Sequence, residues 1–157
     1  MTAAPDRPGI PVPPPLIYLG FILIGWGLTH VVADPGVGAG WDVRRYIAFA
    51  LIVGGLLLDG AAVQGFRRKG TSPAPWKEAT VLETEGPYRF SRNPIYLGYA
   101  IAYVGVAVAM DSLIALSLLI PCMVVVDRFV VLREEHYLSR KFGAAWDAYR
   151  LKVRRWL

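Results

Sequence analysis

The stretch Gly86-Pro-Tyr88-Arg-Phe-Ser-Arg92-Asn93-Pro94-Ile-Tyr96-Leu-Gly98 turns from basic and polar to apolar within a few residues. The run it opens, Pro94 to Met110, contains no Asp, Glu, Lys or Arg. Asn favours the position before a helix and Pro its first turn, so Asn93-Pro94 predicts a helix start with Asn93 as the cap. The free amides and positive dipole end there would suit the carboxylate of a soluble ligand, and they equally suit an ordinary cap. Within the run, Gly98, Ala102 and Gly105 form a small-residue stripe that lets another helix approach closely, a packing feature.

Three further apolar stretches accompany this one. The four lie at about 16–33, 46–66, 94–110 and 112–132, each near the ~20 residues that a hydrocarbon core demands. Peptide groups in lipid must be satisfied internally, so spans of this length are helices. The chain is 55% hydrophobic over 157 residues, more than soluble domains usually carry. The predicted class is all-α: a polytopic membrane protein with four transmembrane helices, a C-terminal amphipathic helix and no Rossmann domain. Residues 1–15, with six prolines, read as a disordered arm, and 16–157 as one domain. The arm lacks the apolar core of a signal peptide. Only Asp111 separates the third and fourth spans, which forces a tight hairpin, and Pro121 predicts a kink in the fourth.

The basic residues orient these spans. Arg7, the cluster from Arg67 to Arg92 and the group from Arg133 to Arg155 fall on one side of a four-span topology, opposed only by Arg44 and Arg45. By the positive-inside rule both termini and the 67–93 loop are cytoplasmic, in a membrane expected to be the bacterial inner membrane. The net charge of +5 sits beside apolar runs, where anionic lipid explains it better than nucleic acid, whose recognition motifs are absent. Beyond the fourth span, Leu138, Phe142, Trp146, Tyr149 and Val153 recur at helical steps. They predict an amphipathic helix over about 133–155, broken at Gly143, lying in the headgroup plane with Trp146, Tyr149 and Trp156 as anchors. The alternative is a tail helix packed on the domain.

Several familiar motifs are decoys or missing. Gly36-Val37-Gly38-Ala39-Gly40 follows no strand and misses the dinucleotide spacing, so it reads as a turn. Cys122 stands alone in an apolar run, a packing residue. His30 and His136 fall on opposite faces, so no metal site is expected. Ionisable groups in or beside spans are the functional candidates: Asp59, Asp127, Arg128, Glu134 and Glu135. In an unbroken helix, seven residues are close to two turns, which stacks Asp127 with Glu134 and Arg128 with Glu135. A structural salt bridge between Arg128 and Asp59 is the bland alternative.

The 86–98 block, followed by Glu134-Glu135-x-x-Leu138-x-x-x-Phe142-Gly143-x-x-Trp146-x-x-Tyr149 and Val153, resembles the isoprenylcysteine carboxyl methyltransferase and phospholipid methyltransferase family of integral membrane enzymes. The likeness covers the chain from about Thr80 onward, and the two blocks in order are far more specific than either alone. It implies a methyltransferase that uses S-adenosylmethionine without a Rossmann domain and releases S-adenosylhomocysteine. It implies cofactor contacts at Thr80, Val81, Leu82, Glu83, Tyr88, Asn93, Pro94, Ile95, Tyr96 and Glu134, with Arg128, Glu134 and Glu135 as the catalytic candidates. The implied acceptor is lipidic, a prenylcysteine-like carboxylate first and a phosphatidylethanolamine-type amine second, taken from the membrane. Two departures stand out: Asn93 replaces the His common before the proline, and Val130 stands where the family has a substrate-side arginine, for which Arg128 or Arg133 would substitute. A non-enzymatic transporter or assembly subunit is the rival from another class. A transporter should place charge at the bilayer midplane, whereas here the charges gather at one face.

Overall fold

A computed structural model describes residues 7–74 and 77–157; the expected disordered arm falls partly outside them, in 1–6. Among the described residues seven helices carry the architecture: α1 Pro14–Leu28, α2 Trp41–Arg68, α3 Pro94–Ala109, α4 Leu113–Ser117, α5 Leu119–Val126, α6 Leu132–Phe142 and α7 Ala144–Lys152. A 3₁₀ turn occupies Gly86–Arg89, and one π-helical turn, Asp127–Val131, joins α5 to α6. Among the described residues no strand is present.

Two segments, Trp41–Arg68 and Leu113–Phe142, are long and apolar enough to cross a bilayer. The other two apolar helices are shorter, 15 residues in α1 and 16 in α3. At ~1.5 Å per residue they reach roughly 22–24 Å against a core of ~30 Å, so the four expected spans resolve into two long helices and two short ones. The first ends at Leu28, earlier than the expected 33, because Thr29 Oγ1 and His30 Nδ1 both turn back onto the Trp26 carbonyl, at 2.7 and 2.8 Å.

The small-residue stripe does what its spacing predicts. A Cβ on Gly105 would stand 2.9 Å from the Ala48 carbonyl of α2, and one on Gly98 would stand 2.8 Å from that of Gly55. Backbone therefore packs on backbone between α2 and α3. α1 lies against α3 through Tyr18, whose hydroxyl donates to the Tyr96 carbonyl at 2.9 Å. Tyr103 of α3 donates to the Ala115 carbonyl at 2.8 Å, and Cys122, Val126 and Val130 complete a core of fully buried side chains. Pro121 has no N–H for the Ser117 carbonyl, and Ser117 is where α4 ends.

The turns at the far end are pinned by acids. Asp111 holds the left-handed conformation at φ 55°, which Asp tolerates better than most residues. Its carboxylate accepts from the Val37 amide at 3.0 Å and pairs with Arg44 at 3.1 Å. Asp34 accepts from the Gly36 and Leu113 amides and from Ser112. The glycine run is thus a stapled turn.

Gly143 breaks α6 from α7 at φ 50°, ψ −122°, a conformation that L side chains rarely adopt. The aromatic face beyond it does not point to lipid headgroups: Trp146 is 3% exposed and Tyr149 is buried. Trp156 packs against the core. The tail therefore folds onto the domain, its apolar stripe covered by protein instead of bilayer.

Candidate active site

The start of α3, the 3₁₀ turn, the end of α2, the loop after α2 and the α6–α7 tail line a cleft open on one side, about 810 Å³ with the solvent at its mouth included. Tyr96, in the first turn of α3, donates its hydroxyl to Glu134 Oε1 at 2.7 Å. One hydrogen bond thus joins the 86–98 block to the acidic pair, across 38 residues of sequence.

Glu135 lines the same cleft but is taken up by other partners. It pairs with Arg92 at 3.0 Å and accepts from Arg155 at 2.6 and 3.1 Å. Arg155 also reaches Asp127 at 3.3 Å, and Trp156 Nε1 donates to Asp127 at 3.2 Å. Asp127 is thus stacked with Glu135, not with Glu134 as an unbroken helix would have it. The π turn is the reason: it adds one residue to the register, so two turns now take eight residues. That extra residue turns Glu134 into the cleft.

Asn93 likewise departs from its expected cap. Its side chain makes no bond to the α3 amides; Nδ2 donates to the Arg155 carbonyl at 2.9 Å, beside Ser91 Oγ at 3.2 Å. The Arg92 amide donates to the Arg154 carbonyl at 3.0 Å. Residues 154–156 are therefore a strap that ties the entrance of α3 to the π turn and α6.

Of the residues singled out from sequence, Val81, Leu82, Glu83, Tyr88, Asn93, Ile95, Tyr96, Glu134 and Glu135 all line the cleft. Pro94 is buried behind it, and Thr80 bonds Thr71 at 2.6 Å outside it. Arg128 is not brought in: its side chain is 69% exposed, with Asp127 at 4.0 Å as its acid neighbour. It makes no bridge to Asp59, whose two carboxylate oxygens are buried against Gly98 with no hydrogen-bond partner. Sequence reasoning missed Phe66, Arg92, Tyr137, Trp146 and Tyr149 as cleft walls. Arg92 lies inside the quoted block, and the helical period of the Trp and Tyr is the same whether lipid or protein covers them.

A second cavity of about 520 Å³ lies toward the apolar helices, between Pro14 and Pro15, Val63 and Tyr99. It shares Pro73, Ala74, Ile95 and Tyr96 with the cleft, so Tyr96 stands between the two.

A family model described as phospholipid methyltransferase matches residues 43–145. The chain belongs to the phospholipid methyltransferase family. Protein-S-isoprenylcysteine O-methyltransferases A and B of Arabidopsis thaliana are 29% and 31% identical to this family member over 78% and 80% of its length, and 62% and 64% of theirs. The nickel-cobalt-cadmium resistance protein NccN of Alcaligenes xylosoxydans xylosoxydans is 30% identical over 87% of the chain and 65% of its own. The chain thus spans a little under two thirds of these curated relatives. No solved structure is a significant match.

S-adenosylmethionine can be tested against this family member's cleft. Aromatic side chains wall it, and two lining residues carry buried polar atoms with no partner, Glu83 Oε2 and Arg92 Nε. A ligand with a flat apolar body and charged groups fits that description.

Proposed function

We propose that this protein transfers the methyl group of S-adenosylmethionine to a lipidic acceptor at the cytoplasmic face of the membrane, releasing S-adenosylhomocysteine. The single observation that carries the reading is the Tyr96–Glu134 bond, which joins the 86–98 block to the acidic pair in a cleft that shares Tyr96 with a second, apolar cavity. The bound donor supplies a methyl on a sulfonium, which already has a good leaving group. The chain therefore has only to align the partners and exclude water, and it needs no nucleophile of its own. Val81, Leu82, Tyr88 and Ile95 provide apolar wall, Tyr96 holds Glu134 in place, and Glu134 offers its carboxylate to a cationic or hydroxyl-bearing part of the donor. The acceptor's lipid portion lies in the second cavity, reached from the bilayer between α1, α2 and α3.

Two acceptor classes fit this frame. A prenylcysteine-like carboxylate accords with the named O-methyltransferase relatives and needs no proton acceptor. An aminophospholipid headgroup is favoured by a specific observation, the unpartnered Asp59 carboxylate one helical turn from Val63 of the second cavity, together with the outward position of Arg128. Purified protein in mixed vesicles with methyl-labelled donor separates them. Label in a prenylcysteine analogue supports the first and label in phosphatidylethanolamine the second. Transfer to no lipid by protein that binds S-adenosylhomocysteine would sink the reading. The gathering of basic residues on one side of the expected spans supports a reading with both termini in the cytosol.

A further inference from the structure

Residues 8–15, Pro-Gly-Ile-Pro-Val-Pro-Pro-Pro, carry five prolines and lead into α1. Each proline ring fixes φ near −65°, so such a run is stiff without a helix or sheet around it. Its two ends reach the two cavities: Pro8 lines the cleft, whereas Pro14 and Pro15 line the second cavity. The run therefore borders the junction at which Tyr96 stands. Its inner and outer faces are distinct. Pro8 and Ile10 are half-buried and Pro14 is fully buried, with Ile10 packed against the apolar core, whereas Gly9, Pro11, Val12 and Pro13 are exposed. One thickness of chain thus stands here between the cavities and the outside.

The run is held differently at its two ends. Its root is Pro14, buried in the first turn of α1. Near its tip Gly9 takes φ 66°, which glycine adopts at no steric cost, and the Gly9 carbonyl accepts from Arg133 Nη1 at 2.9 Å. That bond is exposed, so water competes for both partners and little is lost when it breaks. Arg133 belongs to the first turn of α6, next to Glu134, and adjacent side chains point about 100° apart: Glu134 into the cleft, Arg133 onto the proline run. A stiff lever with a buried root and a weakly fastened tip swings as a unit.

We propose that residues 8–13 are a lid on the junction of the two cavities and that Arg133 is its latch. The lid lifts to pass the acceptor's polar head or the methylated product, and shuts to keep water out during transfer, since water competes with the acceptor for the sulfonium methyl. This rests on the methyl-transfer reading above and adds a moving part to it. Arg133 touches neither donor nor acceptor in this assignment; it is a positioning residue that acts through the lid.

Thiol labelling tests the lid apart from the chemistry. The native cysteine, Cys122, is fully buried, so in Ile10→Cys the introduced thiol is the one that reacts. In detergent, adding Arg133→Met should speed its reaction with a small maleimide ~5-fold, the effect of losing one exposed charged contact. S-adenosylhomocysteine affinity, measured by calorimetry on both proteins, should stay within ~2-fold, which also shows that the fold survives. A labelling rate that Arg133→Met leaves unchanged overturns the latch, and a faster rate matched by an equal loss of affinity marks general loosening and overturns it too. A bulky maleimide on the Ile10→Cys thiol stops the lid from reseating, so transfer from methyl-labelled donor to the prenylcysteine analogue or phosphatidylethanolamine in mixed vesicles should fall ~10-fold with S-adenosylhomocysteine binding kept. Transfer at the unmodified rate overturns the lid. Failure of the wild type to bind S-adenosylhomocysteine overturns the methyl-transfer reading and not the lid, whose labelling rates are read without it.

Discussion

Adjacent residues in a helix point about 100° apart, and the two glutamates at the head of α6 use that angle to serve different masters. Glu135 is held by two guanidiniums, whereas Glu134 has one neutral phenol and the cleft. Tyr96→Phe takes away the bond that positions Glu134, so S-adenosylhomocysteine affinity should fall ~10-fold in calorimetry; an unchanged affinity would show that this bond does not place the carboxylate for the ligand.

At the level of elements, two local departures from the α-helix build the site. The π turn rotates Glu134 inward, and Gly143 lets α7 fold back so that Trp146 and Tyr149 become cleft wall. Gly143→Ala places a side chain at φ 50°, ψ −122° and should cost ~1–3 kcal/mol, read as a lower midpoint in detergent with little change in helix content. These devices differ in how visible they are in sequence. The glycine was legible as a break because its freedom is a property of the residue itself. The π turn was not, because Asp127-Arg-Phe-Val-Val131 carries no Gly or Pro to mark it, and counting seven residues back from Glu134 assumes regular winding. The strap was illegible for another reason: Arg155 meets its partners through irregular backbone, which has no period to read.

Across the whole molecule, the all-helical class and the meeting of the 86–98 block with the acidic pair were readable, since apolar length and motif spacing survive any detail of packing. What was overestimated was span length, because hydropathy does not show where Thr29 and His30 cap α1. The asymmetry of basic residues makes a prediction at this scale: single cysteines at Gly38 and at Gly70 should be labelled by an impermeant reagent from opposite sides, Gly38 from outside intact cells. The reverse pattern would turn the cleft away from the cytosol. One last property follows from how the bundle is fastened at both ends. At the Asp34–Asp111 end, a guanidinium, a hydroxyl and several amides are clamped onto two acids, and along the middle α2 and α3 touch backbone to backbone. The opposite end is laced by the strap, the Lys69–Glu83 pair and the Tyr96–Glu134 bond. A mould tied at both ends keeps its shape before anything enters, so little ordering is left to be done when a small molecule arrives.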